Sequence, residues 1–294
     1  MKHLILSLII LSGAYAHATK LKVVTTLPDV AEVVQAIGGE FVDVQSLLKG
    51  SEDPHYSEAR PDFILKVNRA DIVCAVGLDL EIGWLPKILE KAGNAKVQSG
   101  GPGFCVLGAK VTALDIPGGV INRSLGDVHP HGNPHFMLSL EKIADSGAEV
   151  VRVLSLALPE KASVFEKNYE AFKRRLSDSK KELAAQLKKV KVLEYHKEFT
   201  YFFNSYGLES LGSLEEKPGM PPSAARIAKV AQLAKENKVV VLFATVSAPH
   251  KVLERFQELS GVRVVQLPSY VQNLDKSSAK SIIELQNILV KAIP

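Results

Sequence analysis

The sequence predicts an α/β fold of two lobes, each a mainly parallel β-sheet flanked by helices, joined by one long backbone helix. Three observations predict it. β-rich runs alternate with amphipathic runs from Lys20 to Ser99, the alternation restarts at Lys189, and a single apolar stripe at helical spacing lies between. Strands alternating with helices imply a parallel sheet with helices on its faces.

The first lobe is expected over residues 19–158. "KLKVVTTL" (20–27) is β-rich and stops at Pro28, and "DVAEVVQAIGG" then carries Val30, Val33, Val34 and Ile37 on one helical face with glycines to end it. "FVDVQSLL" reads as a strand, "RPDFILKVNRA" as a helix and "DIVCAVGL" as a strand. "EIGWLPKILEKAG" reads as a helix kinked at Pro86, and "AKVQS" as a short strand. From Gly100 to Asn133 the chain is rich in Gly and Pro and shows few elements.

The linking helix is expected over residues 159–188. Phe165, Tyr169, Phe172, Leu176, Leu183 and Leu187 keep to one face. Thirty helical residues span about 45 Å, enough to join two lobes stiffly and restrain hinge closure. The second lobe, 189–294, begins with the strand "KVKVLEYH", the helix "FTYFFNSYG" and the strand "LESLGSL". "AARIAKVAQLAKENK", "VVVLFATV", "HKVLERFQELSG" and "VRVVQLP" continue the alternation, and "KSSAKSIIELQNILVKAI" is the terminal helix.

The balance of 36 basic against 32 acidic residues, a formal +4, lacks the concentrated basic face a nucleic-acid binder needs. "MKHLILSLIILSGAYAHA" has one lysine, an apolar run from Leu4 to Leu11 and small residues at Ala14, Ala16 and Ala18. That is the plan of a cleavable signal peptide over residues 1–18. With no cysteine beside the cleavage point, the expectation is a soluble periplasmic monomer without a lipid anchor. The two cysteines, Cys74 and Cys105, lack the paired spacing of a thiolate metal site, and the sequence leaves open whether they bond.

The histidines carry the chemistry. "GDVHPHGNPHFML" (126–138) holds His129, His131 and His135 on a stretch that its prolines and glycine keep from being helical. His55 follows Asp53-Pro54 in a loop after a predicted strand, His135 follows Pro134, and His196 ends the first strand of the second lobe. In open α/β sheets ligands bind at the carboxyl ends of strands, and neutral imidazole is the commonest metal-binding side chain. Three histidines on such loops, from both lobes, point to a metal site.

The runs "DPHYSEARPDFILKVNRADIVCAVGLDLEIGWL", "GDVHPHGNPHFML", "EYHKEFTYFFNSYGL" and "KPGMPPSAARIAKVAQLAKENKV" resemble, in order and over residues 20–294, the metal-binding solute-binding proteins of zinc and manganese ABC importers, the cluster A-I family. The resemblance implies a metal site in the cleft between the lobes, with His55, His135 and His196 at the family's first three ligand positions. It implies a non-enzymatic periplasmic receptor that captures Zn²⁺ and delivers it to a membrane permease.

Zinc-type members carry histidine at the third position and manganese-type members usually glutamate, so His196 favours zinc. The family's aspartate on the last strand's loop is missing: Leu267 and Pro268 stand there. Water, Gln266, Asp275, Glu215 or Glu216 are the candidates for a fourth ligand. The glutamate often found after the preceding strand is also missing, with Ala244 and Thr245 in its place, and the family's long histidine-rich loop shrinks to "GDVHPHG". His129 and His131 are either solvated or gather metal at the mouth, and the loop offers a docking point for a metallochaperone. The competing functions are a manganese or iron receptor of the same fold and a zinc-dependent hydrolase using Glu52, Glu194 or Glu198 as base.

Overall fold

The computed structural model describes residues 20–118, 126, 128–272 and 279–294. The expected signal segment and Asp275 lie outside the described residues. Among those described, no helix is long and apolar enough to cross a membrane.

Two four-stranded parallel sheets form the framework. The first comprises β1 (Leu21–Thr25), β2 (Val42–Ser46), β3 (Ile72–Ala75) and β4 (Phe104–Val106), in the order β2-β1-β3-β4. The second comprises β5 (Lys191–Glu194), β6 (Glu209–Ser213), β7 (Val241–Thr245) and β8 (Arg263–Leu267), in the order β6-β5-β7-β8. Each sheet repeats the other's order, and all pairings are parallel. Every strand's carboxyl end therefore faces the same side of its sheet, where loops can converge.

Local chemistry sets the helices. α1 (Pro28–Gly38) starts on a proline, which needs no helical hydrogen bond there, and buries Val30, Val33, Val34 and Ile37. α2 (Pro61–Asn68) starts the same way. α3 is Leu85–Ala92, so Pro86 lies in its first turn, where proline is tolerated, and not at a kink inside a longer helix. The expected strand at residues 95–99 is a 3₁₀ turn instead, because the Asn94 side chain accepts from Lys96 N and caps it. The fourth strand is β4, three residues within the glycine-rich stretch. Cys74 and Cys105 lie directly opposite each other on β3 and β4 as buried free thiols.

α4 (Leu140–Ala157) is capped by Ser139, whose hydroxyl accepts from Lys142 N. α5 (Ala162–Ala184) is the linking helix. It is shorter than the 159–188 interval because residues 159–161 wind as a 3₁₀ turn and the helix ends at Ala184. At 1.5 Å per residue it spans about 34 Å. It buries Phe165, Tyr169, Phe172, Leu176 and Leu183, while Tyr169 donates to Ala144 O and Asn168 to Ile37 O.

The second lobe's helices are α6 (Thr200–Tyr206), α7 (Ala224–Glu236), α8 (His250–Ser260) and α9 (Ile282–Lys291). Phe199, Phe202 and Phe203 surround Phe243 of β7, with ring centroids 5.3–6.0 Å apart. Truncating Phe243 to Ala would cost about 3–5 kcal/mol by loss of packing and the cavity left behind. α9 packs against α5, its Ile282 N donates to Glu32 of α1, and Gln286 donates to Leu138 O.

The lobes are also strapped together beside the cleft. After β8, Val271 N donates to the buried Asp29 carboxylate and Gln272 Nε2 to Gly50 O. A Cβ on Gly50 would run into Val271 O, and its φ is +84°, so only glycine lets the two backbones meet. Burial pushes the Asp29 carboxyl up to about 7.

Candidate metal centre

The loops after β2 and β5 and the loop before α4 bring His55, His135 and His196 together. Each offers one ring nitrogen, and these three atoms lie within 4.8 Å of one another. Ring centroids are 5.2, 5.5 and 6.0 Å apart. This is the single such group among the described residues. A cleft of about 260 Å³ beside it is lined from both lobes by Asp53, His55, His196, Glu198, Glu215 and Tyr270.

His55 is locked from two directions. Its Nδ1–H and its backbone N–H both donate to Asp53 Oδ1, at 2.8 and 2.9 Å. The indole of Trp84 donates to Pro54 O at 2.7 Å, so this buried residue also anchors the loop. A carboxylate only accepts, which fixes the proton on Nδ1 and leaves the Nε2 lone pair for a cation.

His135 is held by its neighbour and by the other lobe. Its backbone N–H donates to Asn133 Oδ1 (2.9 Å), while Asn133 Nδ2 donates to Lys197 O and Tyr201 OH to Asn133 O. Gly132, at φ +102°, makes the turn before it, with its N–H donating to His129 O. The ring's Nδ1 lies 3.2 Å from the Tyr270 hydroxyl. Its Nε2 is buried without a hydrogen-bond partner. Such an orphan costs about 1–3 kcal/mol, a cost that a bound cation would remove. Burial pushes the pKa of His135 well below 6.5, and the neighbouring His55, His196 and His129 add to the effect.

His196 has the opposite electrostatics. Burial works against its charged form, but the hydrogen bond to Glu215 and the nearby Glu198 and Glu194 outweigh it and leave the pKa above 6.5. Its Nδ1–H donates to Glu215 Oε2 at 2.8 Å. Burial pushes the Glu194 carboxyl up to about 8 despite bonds from Phe199 N and Thr200 Oγ1. Burial likewise raises Glu198.

Several expectations about the fourth ligand change. Glu215 occupies the Nδ1 side of the His196 ring, so it orients that ring and does not face the Nε2 atoms. Glu215 thereby fixes the His196 ring. Gln266 turns its amide to Thr245 O and Ala248 O, and Glu216 is exposed. His131 is 70% exposed and pairs with Asp79 at 2.7 Å, whereas His129 brings its Nε2 to 3.2 Å from His55 Nε2. Sequence reasoning missed Tyr270 as the partner of His135. It lies 135 residues away, and only its closeness to the vacant aspartate position could have drawn attention to it.

Two parallel sheets with histidines converging from both lobes define a metal-binding solute-binding protein of the cluster A-I class. The family described as ZnuA, zinc-uptake complex component A, periplasmic, matches residues 23–293, and the chain belongs to it. The chain is 28% identical over 255 residues to the zinc-binding lipoprotein AdcA of Streptococcus pneumoniae, covering 83% of this chain and 49% of that protein. The chain thus spans about half the length of that relative. It is also 28% identical over 278 residues to the iron ABC transporter substrate-binding lipoprotein MtsA of Streptococcus pyogenes, covering 90% of this chain and 83% of that protein.

Among solved structures, a crystal structure of ZnuA superposes with a TM-score of 0.75 at 22% identity, covering 93% of this chain and 98% of that one. The solute-binding protein FpvC of Pseudomonas aeruginosa in complex with Mn²⁺ gives 0.76 at 23%, covering 94% and 98%. At these identities the likeness concerns the fold. The family is one of solute-binding transport proteins, not enzymes.

Proposed function

We propose that this protein is an exported receptor that captures Zn²⁺ in the cleft and delivers it to the membrane permease of an ABC importer. His55, His135 and His196 are the ligands in this reading, and residues 1–18 direct export to the periplasm. The observation that carries it is that one ring nitrogen from each of the three histidines lies within 4.8 Å of the others, while His135 keeps a buried, partnerless Nε2. The other two rings have their Nδ1 atoms held by carboxylates, which turns their Nε2 lone pairs toward the same space. Imidazole nitrogen suits zinc, and pre-oriented rings lower the cost of closing around it.

A second reading has an observation of its own. The buried Glu198 carboxylate lies near His196 and His55, and relatives are named as iron and manganese binders. Oxygen donors suit Mn²⁺. Metal-free mature protein dialysed against equimolar zinc and manganese separates the two. One zinc per chain, lost in His196→Ala, is the expected result. Preferential uptake of manganese would make a carboxylate the dominant ligand and overturn the zinc reading.

A further inference from the structure

We infer that His129 supplies a fourth imidazole to the metal, so that the cargo is held by His55, His129, His135 and His196. This rests on the zinc-receptor reading and completes its coordination. The sequence removes the usual candidate, since Leu267 and Pro268 stand where an acid is expected. The structure engages other side chains elsewhere: Glu215 bonds the outer nitrogen of His196, Gln266 bonds two backbone carbonyls, and the Glu198 carboxylate accepts from Ser269. One nitrogen from outside the triad nevertheless reaches one of its members, His55.

His129 Nε2 lies 3.2 Å from His55 Nε2, with the ring centroids 5.2 Å apart. The His55 atom in that contact is its lone-pair nitrogen, because Asp53 holds the proton on Nδ1. His129 therefore sits on the side of His55 that faces the other ligands, and it shares a concave wall with His135 and His196. Four nitrogens placed tetrahedrally at about 2.0–2.1 Å from zinc are roughly 3.3 Å from one another. The observed His129–His55 separation matches one edge of such a tetrahedron, and metal binding would draw His129, which lies outside the 4.8 Å group, toward His135 and His196. In the metal-free protein, His129 Nε2–H can donate to the His55 lone pair. Moving that proton to Nδ1 of His129 turns both lone pairs to the cation.

The neighbouring histidine serves as an internal control. His131 is two residues on, yet it is 70% exposed and engaged by Asp79. The prolines at 130 and 134 and the turn at Gly132 thus separate two histidines of one short loop into different surroundings. A fourth imidazole also completes a donor set that favours zinc over manganese.

The test is zinc K-edge X-ray absorption on the full mature chain loaded with one equivalent of zinc, with affinity measured by chelator competition. The expected wild-type spectrum has four imidazole nitrogens at roughly 2.0–2.1 Å. His129→Ala should show three imidazoles and one oxygen, with affinity reduced by more than tenfold, while His131→Ala matches the wild type in both. A wild-type spectrum with three imidazoles, or a His129→Ala spectrum that matches the wild type, overturns the inference. The wild-type count decides even if the variant does not fold. Failure of the underlying reading looks different: the wild type takes up no zinc, or His196→Ala keeps full affinity.

Discussion

The two lobes share one strand order and present their histidines at the same ends of their sheets, but His135 of the first and His196 of the second meet opposite electrostatics. His135 of the first lobe is buried against a tyrosine hydroxyl, and its pKa falls. His196 of the second lobe is bonded to a carboxylate with two more nearby, and its pKa rises. Burial thus favours the neutral, metal-competent form of the first ring, whereas the carboxylates around the second favour its protonated form, which would compete with a cation. Equal topology does not make equal ligands, because the atom on the far side of each ring decides its basicity.

The largest break in this comparison comes from removing a ligand. His196→Ala and His135→Ala should each lose stoichiometric zinc under dialysis, with affinity down by roughly a thousandfold or more. Retained binding in either variant would remove that histidine from the site. The next effect removes only the partner. Glu215→Gln should weaken zinc by about 10–100-fold, the range for loss of an orienting carboxylate. It should also move the acid limit of binding to lower pH, since the largest influence that raises the His196 pKa is then lost. An unchanged pH profile would mean that Glu215 does not set the basicity of His196.

The wild type should show proton competition of matching sign. A ligand whose pKa is raised takes up a proton earlier as pH falls, so zinc affinity should begin to drop above pH 6.5. His135, with its lowered pKa, adds nothing in that window. Titrations between pH 8 and 5 measure this directly, and a flat affinity down to pH 6 would contradict it. The smallest effect belongs to Tyr270→Phe. Losing the hydroxyl from His135 Nδ1 should cost less than tenfold in affinity and leave the pH profile where it was, because the phenol is neutral. A shift of the profile would show that Tyr270 acts on the charge of the site as well as its geometry.

Much of the fold was legible because burial writes itself into local sequence. The run "VLFAT" of β7 is apolar on both faces, as a central parallel strand must be, and the prolines at 28 and 61 marked helix starts. β4 was not legible. Three residues between glycines carry no period, and β4 is a strand only because β3 offers it an edge. The three clustered histidines could be picked out because proline-marked loops and strand ends single them out. Their ring partners divided along the same line. Asp53 is two residues from His55, within reach of sequence reasoning. Glu215 and Tyr270 meet His196 and His135 only through tertiary structure, and no local pattern encodes such a contact.

The helix α9 has a consequence for how the chain comes into being. Its Ile282, Leu285 and Leu289 are fully buried, and it seats against α5 while bonding Glu32 and Leu138 O of the first lobe. Domains ordinarily condense in the order they are synthesised. Here Glu32 of α1 receives its bond from Ile282, 250 residues further along the chain, so the first lobe lacks part of its packing until α9 is present. The order of the strands along the chain is therefore not the order in which the two lobes can be completed.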